Sequence, residues 1–314
     1  MTTAVAPAAG QNNVRFGVIC GALAYAMWGA FPLYLKQLSA VDALEVVCHR
    51  IIWAAPVGAI VLSMRGQWKE TLAALRTPAV VARLFLSAAL IAGNWLVYVW
   101  AVAHDRVLEA SLGYYINPLM LIALGVFVLQ ERLRAPQIAA VVIAAVGVTW
   151  LAVVNAAPPI VAITLALSFS IYGYVRKTTP VGAMPGLFIE TTLLAPFALA
   201  FFAWRAANGG TAFGAHGLGL DLLLVLAGPV TVAPLLLFAL AARRLTLTTL
   251  GFLQYIGPTG QLLLGLYYGE AFTPAHAVCF SLIWLALAIV SVDAIAAARK
   301  SRLTVAPDRL RRPG

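Results

Sequence analysis

The sequence predicts an all-α integral membrane protein of ten transmembrane helices, arranged as two inverted five-helix repeats. Three observations predict it: apolar runs of bilayer length, basic residues that alternate between the connections, and a proline-interrupted segment that occurs twice. The 314-residue chain is 62% hydrophobic and 10% charged, with a mean hydropathy of +0.93. A soluble domain carries about 25% charged residues, so the apolar excess is more than one globular core absorbs.

A bilayer core takes about 20 apolar residues per helix. Residues 1–15 form an Ala-rich tail without the basic start of a signal peptide, so the first apolar run reads as an uncleaved span. The spans of the first half are Phe16–Leu35, Ala43–Met64, Ala82–Ala103, Ala110–Leu129 and Ile138–Val154. Those of the second are Ile160–Val175, Gly186–Trp204, Leu222–Ala242, Thr248–Tyr268 and Pro274–Ala298. The chain thus divides into a tail, repeats over 16–154 and 160–298, and a basic tail over 299–314. Most connections are short; the long one, Arg205 to Asp221, is Gly-rich and expected to be mobile.

Charge placement tests this assignment. The net charge is +10, which in a membrane protein reports topology and not nucleic-acid binding. Of the 21 basic residues, all but Lys36, Arg50, Arg106 and Arg205 fall on one side of the alternation. The positive-inside rule then places both termini in the cytoplasm. An omitted or invented helix would scramble that pattern.

The duplicated segment supplies the repeat. Tyr115-Ile116-x-Pro118 answers Tyr255-Ile256-x-Pro258; Gly125 answers Gly265, Glu131 answers Glu270, and Pro136 answers Pro274. Leu23–Gly29 echoes Leu167–Gly173, and Ala55-Pro56 echoes Ala195-Pro196. Five spans per half is odd, so the second copy must be inverted, an architecture recurrent in secondary transporters.

The same residues carry a resemblance. Trp28-Gly29 with Pro32, His49 to Trp53, Asn94-Trp95, and Leu108 to Tyr114 leading to Asn117-Pro118 resemble the EamA-type transporters of the drug/metabolite transporter superfamily, most closely the RarD branch. Gln130 departs from the Gly that commonly precedes the helix-ending Glu. The resemblance covers Phe16 to about Ala298. It implies cytoplasmic termini, the two inverted repeats, and export of small molecules across a bacterial inner membrane.

Ionisable groups inside apolar spans cost about 2.5–3.5 kcal/mol each on insertion scales and so mark candidate sites. Arg50 and Glu190 are the clearest, at matching repeat positions with opposite charge. Counting about 1.5 Å per residue, Arg50 falls about 5 Å outside the midplane and Glu190 about 7 Å inside it. They read either as a structural ion pair or as two separate sites, with Glu190 exchanging a proton and Arg50 binding an anion or gating. Glu45 and His49, one turn apart, can meet near the outer surface, where His49 could sense protons; the alternative is a histidine simply hydrogen-bonded at a helix interface. Pro118 and Pro258 are expected to break their helices as hinges, freeing the carbonyls of Tyr114 and Gln254. Tyr114, Tyr115, Asn117, Gln254, Tyr255 and Gln261 then line a substrate cavity, or a packing kink satisfied by neighbours. Trp28, Asn94, Trp95, Trp100 and Tyr172 add aromatic and amide surface suited to a planar or amphipathic ligand.

Cys20, Cys48 and Cys279 have neither metal-ligand spacing nor a disulfide pattern, and no metal or cofactor is expected. No GxxxxGK[ST], HExxH or CxxC motif occurs, which argues against nucleotide-driven pumping and against an enzyme. The expectation is a proton-coupled exporter of small metabolites or drugs, working as a monomer or homodimer. A facilitative carrier, a channel, a membrane sensor and a lipid-acting enzyme are the alternatives.

Overall fold

The computed structural model describes residues 8–129, 134–154, 158–242, 244 and 253–305. These residues are helical, with no strand among them. The helices are α1 (Ala8–Lys36), α2 (Ala43–Arg65), α3 (Trp68–Leu75), α4 (Pro78–Ala103), α5 (Val107–Leu129), α6 (Ala135–Val154), α7 (Ile160–Thr178), α8 (Ala183–Ala207), α9 (Leu218–Ala242), α10 (Ile256–Tyr267) and α11 (Pro274–Val305). Seven described segments, in α1, α2, α4, α6, α8, α9 and α11, are long and apolar enough to cross a membrane. Ile19, Leu23, Ile60, Phe197, Leu199 and Leu222 are exposed, an arrangement stable only where lipid covers such surface.

The helix ends follow local chemistry. Asp42 Oδ1 accepts from the amides of Leu44 and Glu45, capping α2, and Gly66 closes it at φ 62° with its amide on Leu62 and Ser63 carbonyls. Pro78 opens α4 at a position whose N–H has no intrahelical partner. The basic connection after α2 folds into the unexpected α3, which buries Thr71 and Ala74 and leaves Leu72 and Leu75 outward.

The chain divides into two compact units, Met1–Asn117 with Ile160–Glu270, and Pro118–Pro159 with Ala271–Gly314. In the first, α1, α2, α4, α7, α8, α9 and α10 pack together, with the largest core running from Phe31 through Ile51, Trp95 and Tyr98 to Leu165 and Leu224. In the second, α6 packs on α11. A Cβ on Gly147 would come within 3.2 Å of Cys279 O, so this glycine permits the close approach, and Arg134 pairs with Asp293 at 2.8 Å.

One expectation is corrected. Pro118 does not break its helix, because α5 runs unbroken from Val107 to Leu129. Proline's φ is itself helical, and one missing i→i−4 bond is absorbed within a long apolar helix. Pro258 behaves differently: Tyr255 is a turn residue and α10 restarts at Ile256, so Pro258 sits in a first turn that needs no amide donor. The Gly-rich loop from Arg205 to Asp221 has a contact at its centre: Ala212 N donates to buried Glu45 Oε1 at 2.6 Å. Gly214 N likewise donates to Asp221 Oδ1 at 2.7 Å. Glu131, Arg132, the side chains of 121–129, the ring of Pro118 and the start of the ninth expected span lie outside the described residues.

Candidate functional site: two buried charges on an aromatic wall

Arg50 projects from α2 about two turns after its start at Ala43 and is 5% exposed. Its Nε donates to Thr231 Oγ1 on α9 at 3.1 Å. Its guanidinium lies 4.2 Å from the Trp95 ring centre and 4.9 Å from that of Phe31, contacts worth about 0.5–2 kcal/mol each. Nη1 is buried without a hydrogen-bond partner. Tyr34, Tyr98 and Tyr114 are its electrostatic neighbours. Asn94 is locked beside them: Nδ2 donates to Leu165 O at 3.1 Å and Ser168 Oγ at 2.9 Å, and Oδ1 accepts from Tyr114 OH at 3.4 Å.

Glu190 occupies the corresponding stretch of α8 at 1% exposure. Ser87 Oγ on α4 donates to Oε1, Arg176 Nε lies 3.4 Å from the same oxygen, and Oε2 is buried without a partner. Arg176 also donates through Nη2 to Gly182 O at 3.1 Å. Its guanidinium occupies the space a side chain at Gly186 would fill, 2.0 Å from a Cβ built there. In the sequence Arg176 reads as one of the connection cations, and nothing local marks Ser87 or Thr231.

The two charges do not pair with each other: Glu190 takes Arg176, and Arg50 takes Thr231 and the rings. Aromatic rings join them instead. Tyr34 meets Phe31 at 5.7 Å, Phe31 stacks on Tyr98 at 6.0 Å, and Tyr98 meets Tyr114 at 5.7 Å. Tyr114 continues to Phe169 at 6.1 Å and Phe169 to Tyr172 at 5.8 Å, which neighbours Glu190 and Arg176. Such a wall offers edge-to-face and stacked contacts to a planar ligand.

The proline-segment residues separate into helix crossings. Tyr115 is fully buried with its hydroxyl 2.6 Å from Thr259 Oγ1. Asn117 Oδ1 accepts from Ser170 Oγ at 2.6 Å, leaving Nδ2 buried and unpartnered. Gln261 Nε2 donates to Trp28 O at 3.1 Å, where Gly29 meets α10 so closely that a Cβ would lie 3.1 Å from Gly257 O. Trp28 packs on Tyr25 and Phe238. Gln254 and Tyr255 are half-buried before α10. Of the predicted residues, Arg50, Asn94, Trp95 and Tyr114 thus converge on one centre. Trp100 does not: it is 37% exposed, stacked on His104.

His49 lies near the N-terminal end of α2 and does not make a close pair with Glu45, whose Oε1 is 4.0 Å away. Nδ1 accepts from Trp53 Nε1 at 3.2 Å, and Phe202 and Phe213 pack on the ring. Glu45 serves the loop instead, through Ala212 N and through Arg205 at 3.6 Å. Two further carboxylates, whose capping role has no mark in the sequence, cap helices: Glu270 accepts from Val107 N and Leu108 N, each at 2.8 Å, and Glu109 from Val161 N at 3.0 Å. Charge at a helix N-terminus is favourable for them. Among the described residues no cluster of three His, Cys, Asp or Glu could hold a metal.

Comparison with known proteins decides the family. The EamA-like transporter family matches residues 15–153. Protein RarD of Salmonella typhi is 45% identical over 92% of this chain and 99% of its own, and protein RarD of Streptomyces exfoliatus is 43% identical over 93% of each. The chain belongs to the EamA-like transporter family, in its RarD branch. An uncharacterized transporter of Vibrio cholerae is 44% identical over 93% of this chain and 97% of its own. A solved crystal structure matches with TM-score 0.57 and 21% identity, covering 89% of this chain and 98% of its own, and so shares the fold. EamA-family relatives of this kind are named as transporters, and the apolar helices make this RarD-type chain a multi-pass membrane protein.

Proposed function

We propose that this RarD-type protein is a secondary transporter that exports a small metabolite or drug across the bacterial inner membrane by alternating access, coupled to protons. The carrying observation is the pair of buried, opposite charges, Arg50 and Glu190, each with its own partners at either end of one aromatic wall.

Ten spans in two inverted repeats, 16–154 and 160–298, with cytoplasmic termini, complete the proposal. Its support is a reciprocal pattern of contacts. α1 packs on α10 through Gly29 and Gln261, as α7 packs on α5 through Ala162 and Ser170. α2 reaches α9 through Arg50–Thr231, as α8 reaches α4 through Glu190–Ser87. α4 packs on α7, as α9 packs on α1. Exchanging the halves maps each contact onto its partner, as an inverted duplication requires. Two packings of similar energy then give inward-open and outward-open states.

In this mechanism Glu190 is the coupling group. Ionised, it holds Arg176, whose second nitrogen holds the α7–α8 corner at Gly182; protonated, it loses the charge that attracts Arg176, and the corner is released. Arg50, Asn94 and Tyr114 hold substrate, while Trp28, Tyr115, Asn117, Gln254, Tyr255 and Gln261 set the crossings that must shift, with Pro258 as the hinge. His49 lies under the outer loop.

The test is flux into liposomes loaded with a pH-sensitive dye, using amphenicols, aromatic amino acids and small metabolites. A substrate-dependent pH change supports coupling. Counterflow without a pH change would show a facilitative carrier, and binding without flux a sensor. Conversion of a lipid would show an enzyme.

A further inference from the structure

We infer that Arg50 and Tyr98 form a carboxylate subsite, so that the transported compound is a small organic monoanion bearing a planar apolar group. The inference deepens the transport reading and rests on it for the word "transported". The subsite itself stands on geometry.

Among the described residues Glu190 has a cationic partner, Arg176, whereas no carboxylate pairs with Arg50. Every ion pair among the described residues involves other groups. A guanidinium at 5% exposure without a counter-charge is far costlier than a paired one. Two buried donors in its surroundings lack acceptors, Arg50 Nη1 itself and the hydroxyl of Tyr98, which is 3% exposed. The two belong to one cluster, since Phe31 stacks on Tyr98 at 6.0 Å and lies 4.9 Å from the guanidinium.

The rings against Arg50 also select its ligand. Trp95 and Phe31 pack on the guanidinium, and Nε is occupied by Thr231. What remains is an N–H edge, which suits the two coplanar oxygens of a carboxylate. A neutral amide offers one acceptor oxygen and no charge. The continuing wall of Tyr98 and Tyr114 receives a flat group attached to that carboxylate.

The test titrates purified full-length protein in nanodiscs with 3-phenylpropionate and, in parallel, 3-phenylpropionamide, reading tryptophan fluorescence and melting temperature. The acid is expected to shift both signals and the amide to bind at least about 100-fold more weakly. Arg50→Gln should remove the preference for the acid, Arg50→Lys should weaken the acid about tenfold, and Tyr98→Phe about tenfold. Equal binding of acid and amide, or binding of neither, overturns the subsite. So does an unchanged preference in folded Tyr98→Phe together with Arg50→Lys. Acid-selective binding without liposome flux would uphold the subsite and sink the transport reading. Flux of neutral amphenicols without acid binding would do the reverse.

Discussion

Gly228 on α9 is the point at which a single methyl group should disturb the Arg50 centre from a distance. A Cβ there would lie 2.3 Å from Trp53 O and 2.5 Å from Trp53 C, both backbone atoms of α2. Backbone cannot rotate aside as a side-chain tip can, so Gly228→Ala must push α9 from α2 by about 1 Å to restore ordinary contact. Thr231 is one turn further along α9, and its 3.1 Å bond from Arg50 Nε would stretch toward about 4 Å, beyond hydrogen-bonding distance. Overpacking costs about 1–3 kcal/mol, and a charged donor left unpaired costs about 1–3 kcal/mol more. The helix propensity of Ala over Gly returns about 1 kcal/mol, so the net loss is about 1–5 kcal/mol. The control is Gly93→Ala on α4, where a Cβ meets nothing within 4 Å and stability should hold or rise by up to about 1 kcal/mol. Reversible denaturation in mixed micelles measures both. Equal stability of Gly228→Ala and Gly93→Ala would refute the claim that this crossing is at its minimum distance.

Other substitutions probe the remaining contacts. Glu190→Gln should insert normally yet abolish proton-driven flux in the dye-loaded liposomes; normal flux would end the assignment of Glu190 as coupling group. Glu45→Ala removes the acceptor of Ala212 N, so hydrogen exchange and proteolysis within 205–221 should accelerate about tenfold or more, the effect of an orphaned bond of about 1–3 kcal/mol. Unchanged exchange there would mean the loop is held by Phe213 and its neighbours alone. Glu270→Ala takes away the shared acceptor of Val107 N and Leu108 N and should cost about 1–2 kcal/mol, with faster amide exchange confined to the first turn of α5.

Much of the architecture is readable from single segments. Transfer into lipid is a sum over a segment's own side chains, so the bounds of α2, α6 and α8 follow from composition, with Asp42 and Gly66 marking both ends of α2. Arg50 and Glu190 stand out for the same reason: a charge within an apolar run is visible in one dimension. Glu109 and Glu270 were visible as residues, but their role as caps on other helices was not, since a cap belongs to the helix that receives it.

Partners and phases were decided only in three dimensions. Spans such as α2 and α9 are apolar on every side, so periodicity does not say which face meets which neighbour. Thr231 is 181 residues from Arg50 and Ser87 is 103 from Glu190; neither carries a local mark. Arg176 reads in the sequence as one more connection cation, whereas the absence of a side chain at Gly186 lets it fold back onto Glu190. The same tertiary context let Pro118 sit within an unbroken α5 while Pro258 starts α10, although the two tetrapeptides differ in sequence only at the residue before proline. By itself the sequence determined which groups must be buried, because burial is set by each residue's own solvation. The helix crossings determined which of those groups meet, because contact depends on rotation and distance that no single segment specifies.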